Sequence, residues 1–539
     1  MAAIGVAKLK RSDTLQGSKV CAARLAVSVS SSEQLLVCPS GGVDKRTAEE
    51  VGLLRLLWLA TPFAAGAVIM AQELVAFRLY APYFGYSIYV WGSMISVVMA
   101  ALAVGYALGG WVADRSQTDL ALYCTIFGSA LYQLGVLFIV HRALYVFARM
   151  GDFAGAALAS LVVFAPPMTA MATAGPFLIR LLARSGRVGS AAGKICAIST
   201  LGSIAGILTT SFFLVPRFGT HTTLQLICLW SAVTAVAGLA RHLRAAWFAL
   251  GLITVTLPFT PLSTWPPSTL YAADSPYNLV RVVRNGKWLV LKLNDEGGVH
   301  TIRDDQTGWT GHYYDDFALG PLLSPARNLL VLGMGGGGSI AATRVITPNI
   351  AIDAVEIDPK VVEAATRFFG MNPQDGKLCV HVADARPWLA ANRSRYDLVH
   401  VDLYQGGPYI PFYLVTLEFF EAVRAHMSPD GVLMMNLFDS SWEQELLRPT
   451  IATLRRVFPS VLVLSVGFGN RMLLAFPKET SKASVRSQLE KFEGNPAVKR
   501  LARLAEMQIS EFTVPAGTTV FTDDFAPVEE ITRRMLNGK

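Results

Sequence analysis

Charged side chains are scarce in this sequence. Only 16% of its 539 residues are Asp, Glu, Lys or Arg, whereas 52% are hydrophobic, and ordinary soluble domains have about a quarter charged residues. The deficit is concentrated in the first half of the chain, so the composition excludes both a wholly soluble protein and a disordered one. The length predicts more than one domain.

Cysteine is also scarce, and its spacing forms no ligand pattern. The six cysteines include no Cys-x-x-Cys pair, and Cys124, Cys196 and Cys228 fall inside long apolar runs, where cysteine acts as a small hydrophobe. We therefore expect no zinc site, no other metal and no disulfide framework. The net charge of +8 largely reflects the N-terminal tail and short loops, and we expect no nucleic-acid partner.

Long apolar runs predict a membrane domain over residues 51–262. A span needs about 20 mostly apolar residues, and no charged residue lies between Arg78 and Asp114. We predict about seven spans: Leu56–Val75, Ile88–Gly110, Leu120–Val140, Phe153–Leu182, Ile195–Val215, Leu224–Leu239 and Ala246–Leu262.

Loop charges give the orientation of this domain, because Lys and Arg in short loops mark the cytoplasmic side. Residues 1–50 are basic and Ser-rich and predict a flexible cytoplasmic tail. The loops on the side of this tail contain Arg115, Arg180, Arg184, Arg187, Lys194, Arg241 and Arg244. Seven full crossings would place the C-terminal half outside the cytosol. If the segment Phe153–Leu182, which three prolines interrupt, is re-entrant or doubled, the C-terminal half would instead face the cytosol.

A linker and small β-subdomain are predicted over residues 263–322. Tyr277–Arg284 and Lys287–Leu293 alternate between apolar and polar residues around Asn285-Gly286, which is the strongest short signal for a β-hairpin. A third strand is predicted through Val299–Thr301.

Strands and helices alternate over residues 323–539. Apolar strands are predicted at Asn328–Leu332, Ala351–Val355, Cys379–Val382, Leu398–Val401, Val432–Asn436 and Val461–Val466. This pattern predicts a doubly wound, Rossmann-like α/β domain of the methyltransferase type, with a parallel sheet. The fold class is thus a multi-pass helical membrane domain followed by this α/β domain and its small N-terminal antiparallel sheet.

Glycines and acids at strand ends predict a nucleoside site. The turn from Gly333 to Gly338 follows the first strand, and its glycines, Gly333 and Gly335 among them, let the backbone approach a ligand closely. Glu356 ends the second strand, where it can accept from two ribose hydroxyls, and Asp384 ends the third, where it can accept from an adenine amino group. With Asp402 at the end of the fourth strand, this set fits S-adenosylmethionine-type ligands better than NAD, although the turn also satisfies G-x-G-x-x-G.

Several motifs carry a resemblance to a known family. They are Ser275-Pro276-Tyr277-Asn278, Val355-Glu356-Ile357-Asp358-Pro359, Val401-Asp402-Leu403-Tyr404, Tyr409-Ile410-Pro411-Phe412, Thr522-Asp523-Asp524 and Ala526-Pro527-Val528-Glu529. The C-terminal half resembles the spermidine synthases, or polyamine aminopropyltransferases. The chain from Leu53 to Glu529 resembles their membrane-fused bacterial relatives.

The resemblance implies a transferase that moves an aminopropyl group from decarboxylated S-adenosylmethionine to a polyamine, without a metal. It implies that Asp402 accepts the proton of the amine, and that Glu356 and Asp384 bind ribose and adenine. It also places Tyr313 and Asp315 at the amine site.

Three positions depart from the family pattern. Gly336 and Gln405 stand where acids are usual, and His300 stands where a glutamine is expected. Two alternatives therefore stay open: a methyltransferase that uses S-adenosylmethionine, and a transporter or sensor whose soluble domain binds a nucleoside or polyamine without turnover.

The predicted partners follow from this interpretation. They are a small polyamine, membrane lipid and, as an open alternative, a second copy of the chain in a homodimer. A cytosolic donor requires that the C-terminal half of this multi-pass cell-membrane protein face the cytosol.

Overall fold

The computed structural model describes residues 45–84, 87–116, 118–183, 187–243, 245–260, 265–294, 298–372, 374–467 and 469–536. The predicted tail, residues 1–50, lies almost wholly outside these ranges. Residues 261–264, where the predicted membrane domain ends and the predicted linker begins, also lie outside these ranges.

The first half of the chain is helical. Its helices are α1 (Lys45–Phe84), α2 (Ile88–Arg115), α3 (Leu120–Ala148), α4 (Asp152–Val163), α5 (Ala165–Ala172), α6 (Ala174–Leu182), α7 (Val188–Thr209), α8 (Val215–Leu239) and α9 (Ala245–Thr256). A π-helical turn, Thr210–Leu214, joins α7 to α8.

The proline-rich segment from α4 to α6 makes one bent pass along α2. The segment bends by 49° between Val163 and Ala165. Gly105 of α2 contacts Thr169, and Gly109 contacts Thr173. These contacts follow the same order along α2 and along the segment, so the two run parallel. After the bend the segment therefore follows α2 toward the end of that helix, where Arg180 lies 2.8 Å from Asp114.

The apolar segment Val188–Leu239 turns back on itself at Gly219. Gly219 has non-helical backbone angles, φ 76° and ψ 174°. Before it, α7 runs parallel to α1, since Gly202 contacts Phe63 and Gly206 contacts Ala67. After it, α8 runs antiparallel to α3, since Cys228 and Gly238 contact Ala130 and Tyr123 of α3.

Spans counted by length and composition differ from the predicted seven. Among the described residues four helical segments qualify, or five if the bent α4–α6 segment is one span. The count is lower for two reasons. The 52-residue segment Val188–Leu239 contains two of the predicted spans. The helical segment Ala246–Phe259, which includes most of α9, is shorter than a crossing needs.

The two ends of this helical bundle have different neighbours. At the first end, which we call the basic end, Asp119 binds Arg241, and Asp114 lies 2.8 Å from Arg180. At the second end, which we call the docking end, Thr220 and Ile88 contact the C-terminal half.

The outer surface of the bundle is apolar. Large side chains such as Phe248, Phe212 and Trp247 are 80%, 79% and 61% exposed, far more apolar exposure than monomeric soluble proteins show in one region.

The small sheet is four-stranded and antiparallel, in the order β1 (Thr269–Asp274), β2 (Leu279–Asn285), β3 (Trp288–Leu293) and β4 (Val299–Asp304). The hairpin turns at Asn285-Gly286 as the sequence predicted, and Asn285 pairs with Trp288. Strand β1 was not predicted. Val280, Val282 and Leu291 pack against α12 (Pro359–Phe368) of the next domain.

The large sheet has eight strands in the order β12-β10-β11-β9-β8-β5-β6-β7. The strands are β5 (Asn328–Leu332), β6 (Ala351–Glu356), β7 (Leu378–Val382), β8 (Tyr396–Val401), β9 (Met427–Phe438), β10 (Ser460–Ser465), β11 (Asn470–Phe476) and β12 (Ile509–Ser510). Five neighbouring strands, β9 to β7, are parallel. The predicted parallel sheet is confirmed for these five strands but not for β10, because β11, which was not predicted, inserts antiparallel between β9 and β10.

Helices cover both faces of this sheet, each over its own apolar core. They are α10 (Gly320–Leu323), α11 (Gly338–Arg344), α12 (Pro359–Phe368), α13 (Ala385–Ala391), α14 (Leu417–Ala425), α15 (Leu447–Val457), α16 (Lys482–Glu490), α17 (Pro496–Gln508) and α18 (Val528–Leu536).

Gly238 gives a test of the bundle packing. A Cβ atom there would lie 2.1 Å from Cγ of Tyr123, and Tyr123 is fully buried with its hydroxyl 3.0 Å from that of Thr61. We expect Gly238→Ala to lower the free energy of unfolding by about 1–3 kcal/mol, because the buried Tyr123 ring has no room to move. Thermal unfolding in detergent measures this loss. Gly128→Ala, where nothing lies within 4 Å, is the matched control, and equal melting of the two variants would contradict this packing.

Candidate active site

A pocket opens at the carboxyl ends of β5, β6, β7 and β8. Strand order reverses there, with β6 on one side of β5 and β8 on the other, which is where α/β sheets place ligands. The pocket encloses about 1000 Å³ of empty space, including its open mouth. Residues from β4 and from the Tyr277-Asn278 turn close its other side.

The glycine turn forms the floor of the pocket. Gly333 and Gly335 have φ of 85° and 52°, which only glycine adopts at little cost. A Cβ atom on Gly333 would lie 2.2 Å from the carbonyl oxygen of Asp402. Glycine is therefore required here both by the backbone angle and by the close approach of the β8 end.

Glu356 is fixed at the end of β6 by backbone donors. Its carboxylate accepts from the N–H of Gly335 at 3.0 Å and from that of Asp358 at 3.1 Å. Burial raises the pKa of Glu356 to about 7, although these two hydrogen bonds act to lower it. A ligand that donates hydroxyl groups to this carboxylate would favour its charged form.

Asp384 lies two residues after β7 and caps α13. One of its oxygens accepts from the N–H of Arg386 at 2.9 Å, and the hydroxyl of Tyr413 donates to the other at 3.2 Å. Arg386 binds both oxygens of Asp523 at 2.7 and 2.9 Å. The Thr522-Asp523-Asp524 motif therefore supports the Asp384 turn through Asp523, which does not itself line the pocket.

Asp402 lies at the inner rim of the pocket with two donors. The hydroxyl of Tyr313 donates to one oxygen and the side-chain amide of Asn436 to the other, each at 3.0 Å. Burial raises the pKa of Asp402 to about 6 in spite of these bonds. Burial also raises the pKa of Tyr313 well above its usual range, so its hydroxyl stays protonated and acts as the donor.

Asp315 is placed apart from the other predicted site residues. Its carboxylate accepts from the backbone and hydroxyl of Thr310 and from the N–H of Gly311, at 2.7–3.2 Å. It is not among the described residues that line the pocket. The structure thus brings Gly333, Gly335, Glu356, Asp384 and Asp402 together, with Tyr313 bound to Asp402, and directs Asp315 to a turn.

The Thr301 side chain fills the space beside Gly336. A Cβ atom on Gly336 would lie 2.8 Å from Cγ2 of Thr301, and the Thr301 hydroxyl accepts from the Gly336 N–H at 2.8 Å. His300, beside it, also lines the pocket; burial lowers its pKa to about 4, so its ring is neutral at pH 7. This end of the pocket is polar and uncharged.

The Ser275–Asn278 motif is tied to Asp358. The Ser275 hydroxyl donates to the Asp358 carboxylate at 2.5 Å, and the Asn278 amide donates to the same oxygen at 2.9 Å. The same hydroxyl accepts from the N–H groups of Tyr277 and Asn278. Asp358 is fully buried, so the motif and the β6 end form one hydrogen-bonded unit.

The charge of the lining favours a cation. Its acids are Glu356, Asp384 and Asp402, and none of the described lining residues is Lys or Arg. A nucleoside that carries a positive centre fits this set: hydroxyl acceptors lie at one wall, and a buried carboxylate lies at the rim.

Sequence reasoning missed three residues of the site, Asn436, Thr301 and Tyr413. Asn436 carried a signal, since it ends a predicted strand next to that of Asp402. Thr301 and Tyr413 carried none, because each reaches the pocket from a part of the chain whose position relative to the large sheet the sequence does not give.

One group of metal-capable side chains lies outside the pocket. The ligand atoms of Asp353, Cys379 and His381 lie within 4.8 Å of one another on β6 and β7. Both oxygens of Asp353 are already hydrogen-bonded, to His381 and to Tyr396, each at 2.8 Å. The group is a hydrogen-bonded cluster on the edge of the sheet.

Known proteins resemble this chain mainly in its C-terminal half. The family model of the spermine/spermidine synthase domain matches residues 313–467. A probable polyamine aminopropyl transferase of Bifidobacterium longum is 30% identical over 289 residues, which cover 50% of this chain and 64% of that protein. The chain thus spans just under two thirds of this relative's length.

Another relative aligns over more of the chain. Polyamine aminopropyltransferase 2 of Ralstonia nicotianae is 25% identical over 416 residues, 70% of this chain and 78% of its own. Because residues 265–539 make up only 275/539, or about 51%, of the chain, this match extends into the helical half.

A methyltransferase and a solved synthase complete the comparison. The human eEF1A lysine and N-terminal methyltransferase is 33% identical over 153 residues, 26% of this chain and 22% of its own. A spermidine synthase solved with the transition-state analogue AdoDATO is 18% identical with a TM-score of 0.36, covering 44% of this chain and 83% of its own. Residues 313–467 are thus similar to a spermine/spermidine synthase domain.

Proposed function

We propose that this protein is a membrane-anchored aminopropyltransferase that acts on a polyamine. The observation that carries the proposal is the position of Asp402, whose carboxylate lies at the rim of the pocket that Glu356 and Asp384 also line. Decarboxylated S-adenosylmethionine supplies a carbon activated by a neighbouring sulfonium. The residues supply binding, orientation and a proton acceptor.

Glu356 and Asp384 hold the nucleoside in this proposal. Glu356 keeps free lone pairs for ribose hydroxyls beyond its two backbone donors. Asp384 is oriented by the Arg386 N–H and by Tyr413, so that it can accept from the adenine amino group. The glycine turn lets the ligand approach the backbone.

Asp402 stabilises the bound ammonium and takes its proton as the nitrogen attacks. The new carbon–nitrogen bond forms as the carbon–sulfur bond breaks, and the neutral thioether nucleoside leaves. Tyr313 and Asn436 fix the carboxylate from both sides. A pKa of about 6 leaves Asp402 charged at pH 7 yet more basic than an exposed aspartate.

The helical half is proposed to span the cell membrane. Its support is the apolar outer surface and the four or five segments that are long enough to cross. A second copy of the chain remains a proposed partner alongside lipid and polyamine.

A methyltransferase is the second candidate. It is favoured by the uncharged end of the pocket at Gly336, where the Thr301 side chain occupies the space that an acid for the donor amine would need. The match to the human methyltransferase agrees with this alternative.

A donor panel decides between the two. We expect purified protein with a polyamine to release methylthioadenosine from decarboxylated S-adenosylmethionine, because the pocket presents acids and no described lysine or arginine. Liquid chromatography with mass spectrometry follows both products. Release of S-adenosylhomocysteine from S-adenosylmethionine instead would favour the methyltransferase, and binding without any product would favour a sensor.

Asp402→Asn tests the proton acceptor. We expect turnover at saturating donor to fall on the order of 100- to 10,000-fold, while methylthioadenosine affinity is retained. In the unmodified protein, turnover should fall as the pH drops through about 6, because Asp402 then becomes protonated. The turnover of Asp402→Asn should show no such fall near pH 6, and it should rise only as the amine itself deprotonates, near pH 10.

Stability supplies the control for this variant. The folded-state pKa of Asp402 is raised, so its charged form destabilises the fold above about pH 6. Asp402→Asn should therefore melt no lower than the unmodified protein at pH 8. Wild-type turnover in the variant would remove Asp402 from the mechanism.

The side of the membrane is a further test. The α/β domain adjoins the docking end, opposite the basic end that the loop-charge rule assigns to the cytoplasm, whereas the proposed donor is cytosolic. The transfer reaction requires that the docking end face the cytosol, against the loop-charge rule, so we expect reporter fusions after Lys539 to give a cytosolic signal. An extracytosolic signal, with correct signals from loop fusions, would contradict the transfer reaction and leave the pocket a binding site.

A further inference from the structure

The docking end of the bundle contacts the chain just before the pocket motif. The N–H of Thr220, directly after the Gly219 kink, donates to the Asp274 carboxylate at 2.9 Å. Arg78 of α1 donates to the carbonyl oxygen of Ser275, the next residue. Asp274, just before the motif, and Ser275, its first residue, are therefore held by two different helices of the bundle.

Arg78 is a costly residue at its position. It lies 84 − 78 = 6 residues before the end of α1, which is about 9 Å along the helix axis. It is half-buried, and its Nε atom is buried without a hydrogen-bond partner among the described residues. An ionisable group in an apolar helix is usually retained for a function.

Hydrogen bonds continue from Ser275 to the nucleoside carboxylate. The Ser275 hydroxyl donates to Asp358 at 2.5 Å. The backbone N–H of Asp358 donates to Glu356 at 3.1 Å, and Glu356 also accepts from Gly335. Each of these hydrogen bonds is buried or partly buried. Water therefore does not replace a bond that is lost when Ser275 moves.

We infer that Arg78 is a positioning residue for the pocket, which sets the place of Glu356 through Ser275 and Asp358. Glu356 as the ribose ligand rests on the proposed function, whereas the dependence of nucleoside binding on Arg78 does not require transfer. The membrane bundle is then a part of the binding site, since the position of α1 determines how well the pocket accepts its nucleoside.

The experiment measures methylthioadenosine affinity by calorimetry on the full chain in detergent. We expect Arg78→Met to raise the dissociation constant about 3- to 10-fold, as the loss of one hydrogen bond implies. Arg78→Lys, which keeps a charged donor, should stay within about 2-fold of the unmodified protein. Hydrogen exchange at Tyr277 and Asn278 should quicken in Arg78→Met alone.

Arg149→Met is the matched control. Arg149 follows α3, and its guanidinium lies over the Tyr145 ring. A role of Arg78 in bundle stability alone would lower the melting temperature and leave the affinity of the folded protein unchanged. That result, or an equal effect of Arg149→Met, would overturn the inference.

Ser275→Ala keeps the inference testable if Arg78→Met does not fold. It cuts the link from the same residue to Asp358, so we expect a similar loss of affinity. Where Arg78→Met does fold, adding it to Ser275→Ala should produce little further loss, because both changes interrupt one path. Full additivity of the two would contradict the path. Wild-type protein that binds nucleoside but never transfers would overturn the proposed function only.

Discussion

A single buried carboxylate, Asp358, joins the parts of this protein around its pocket. It accepts from Ser275 and Asn278 of the small sheet and from the N–H of Lys360 at the start of α12. An uncompensated charge at this depth would be very unfavourable. The three donors offset that cost only in one arrangement, so the small sheet and the large sheet are held in a fixed relation with the pocket between them.

The pocket itself retains carboxylates that are unfavourably buried. The pKa values of Glu356 and Asp402 are raised to about 7 and about 6 because both groups are desolvated. The same desolvation strengthens their interaction with a cationic ligand and makes Asp402 a better base near neutral pH. Stability is therefore reduced at the residues that the proposed reaction needs.

The helical half contacts the C-terminal half directly at one end of its bundle. Its chain reverses at Gly219, whose φ of 76° is accessible to glycine, and the next residue, Thr220, binds Asp274. At the other side, the N–H of Ile88, in the first turn of α2, donates to Glu529 of α18 at 2.8 Å. The beginning and the end of the C-terminal half thus meet the same end of the bundle.

The sequence by itself determined most of the strands around the pocket and the acids at their ends. Alternation, Asn-Gly and the glycine turn predicted the hairpin, β5 to β8 and the grouping of Glu356, Asp384 and Asp402, because parallel strands end at one edge. Only the tertiary structure decided which polar groups meet those acids. Asp315 is bound in its own turn, Thr301 fills the space beside Gly336, and Arg78 reaches Ser275 across 197 positions of the chain. These contacts depend on how separate sheets and helices dock, and local periodicity does not contain that information.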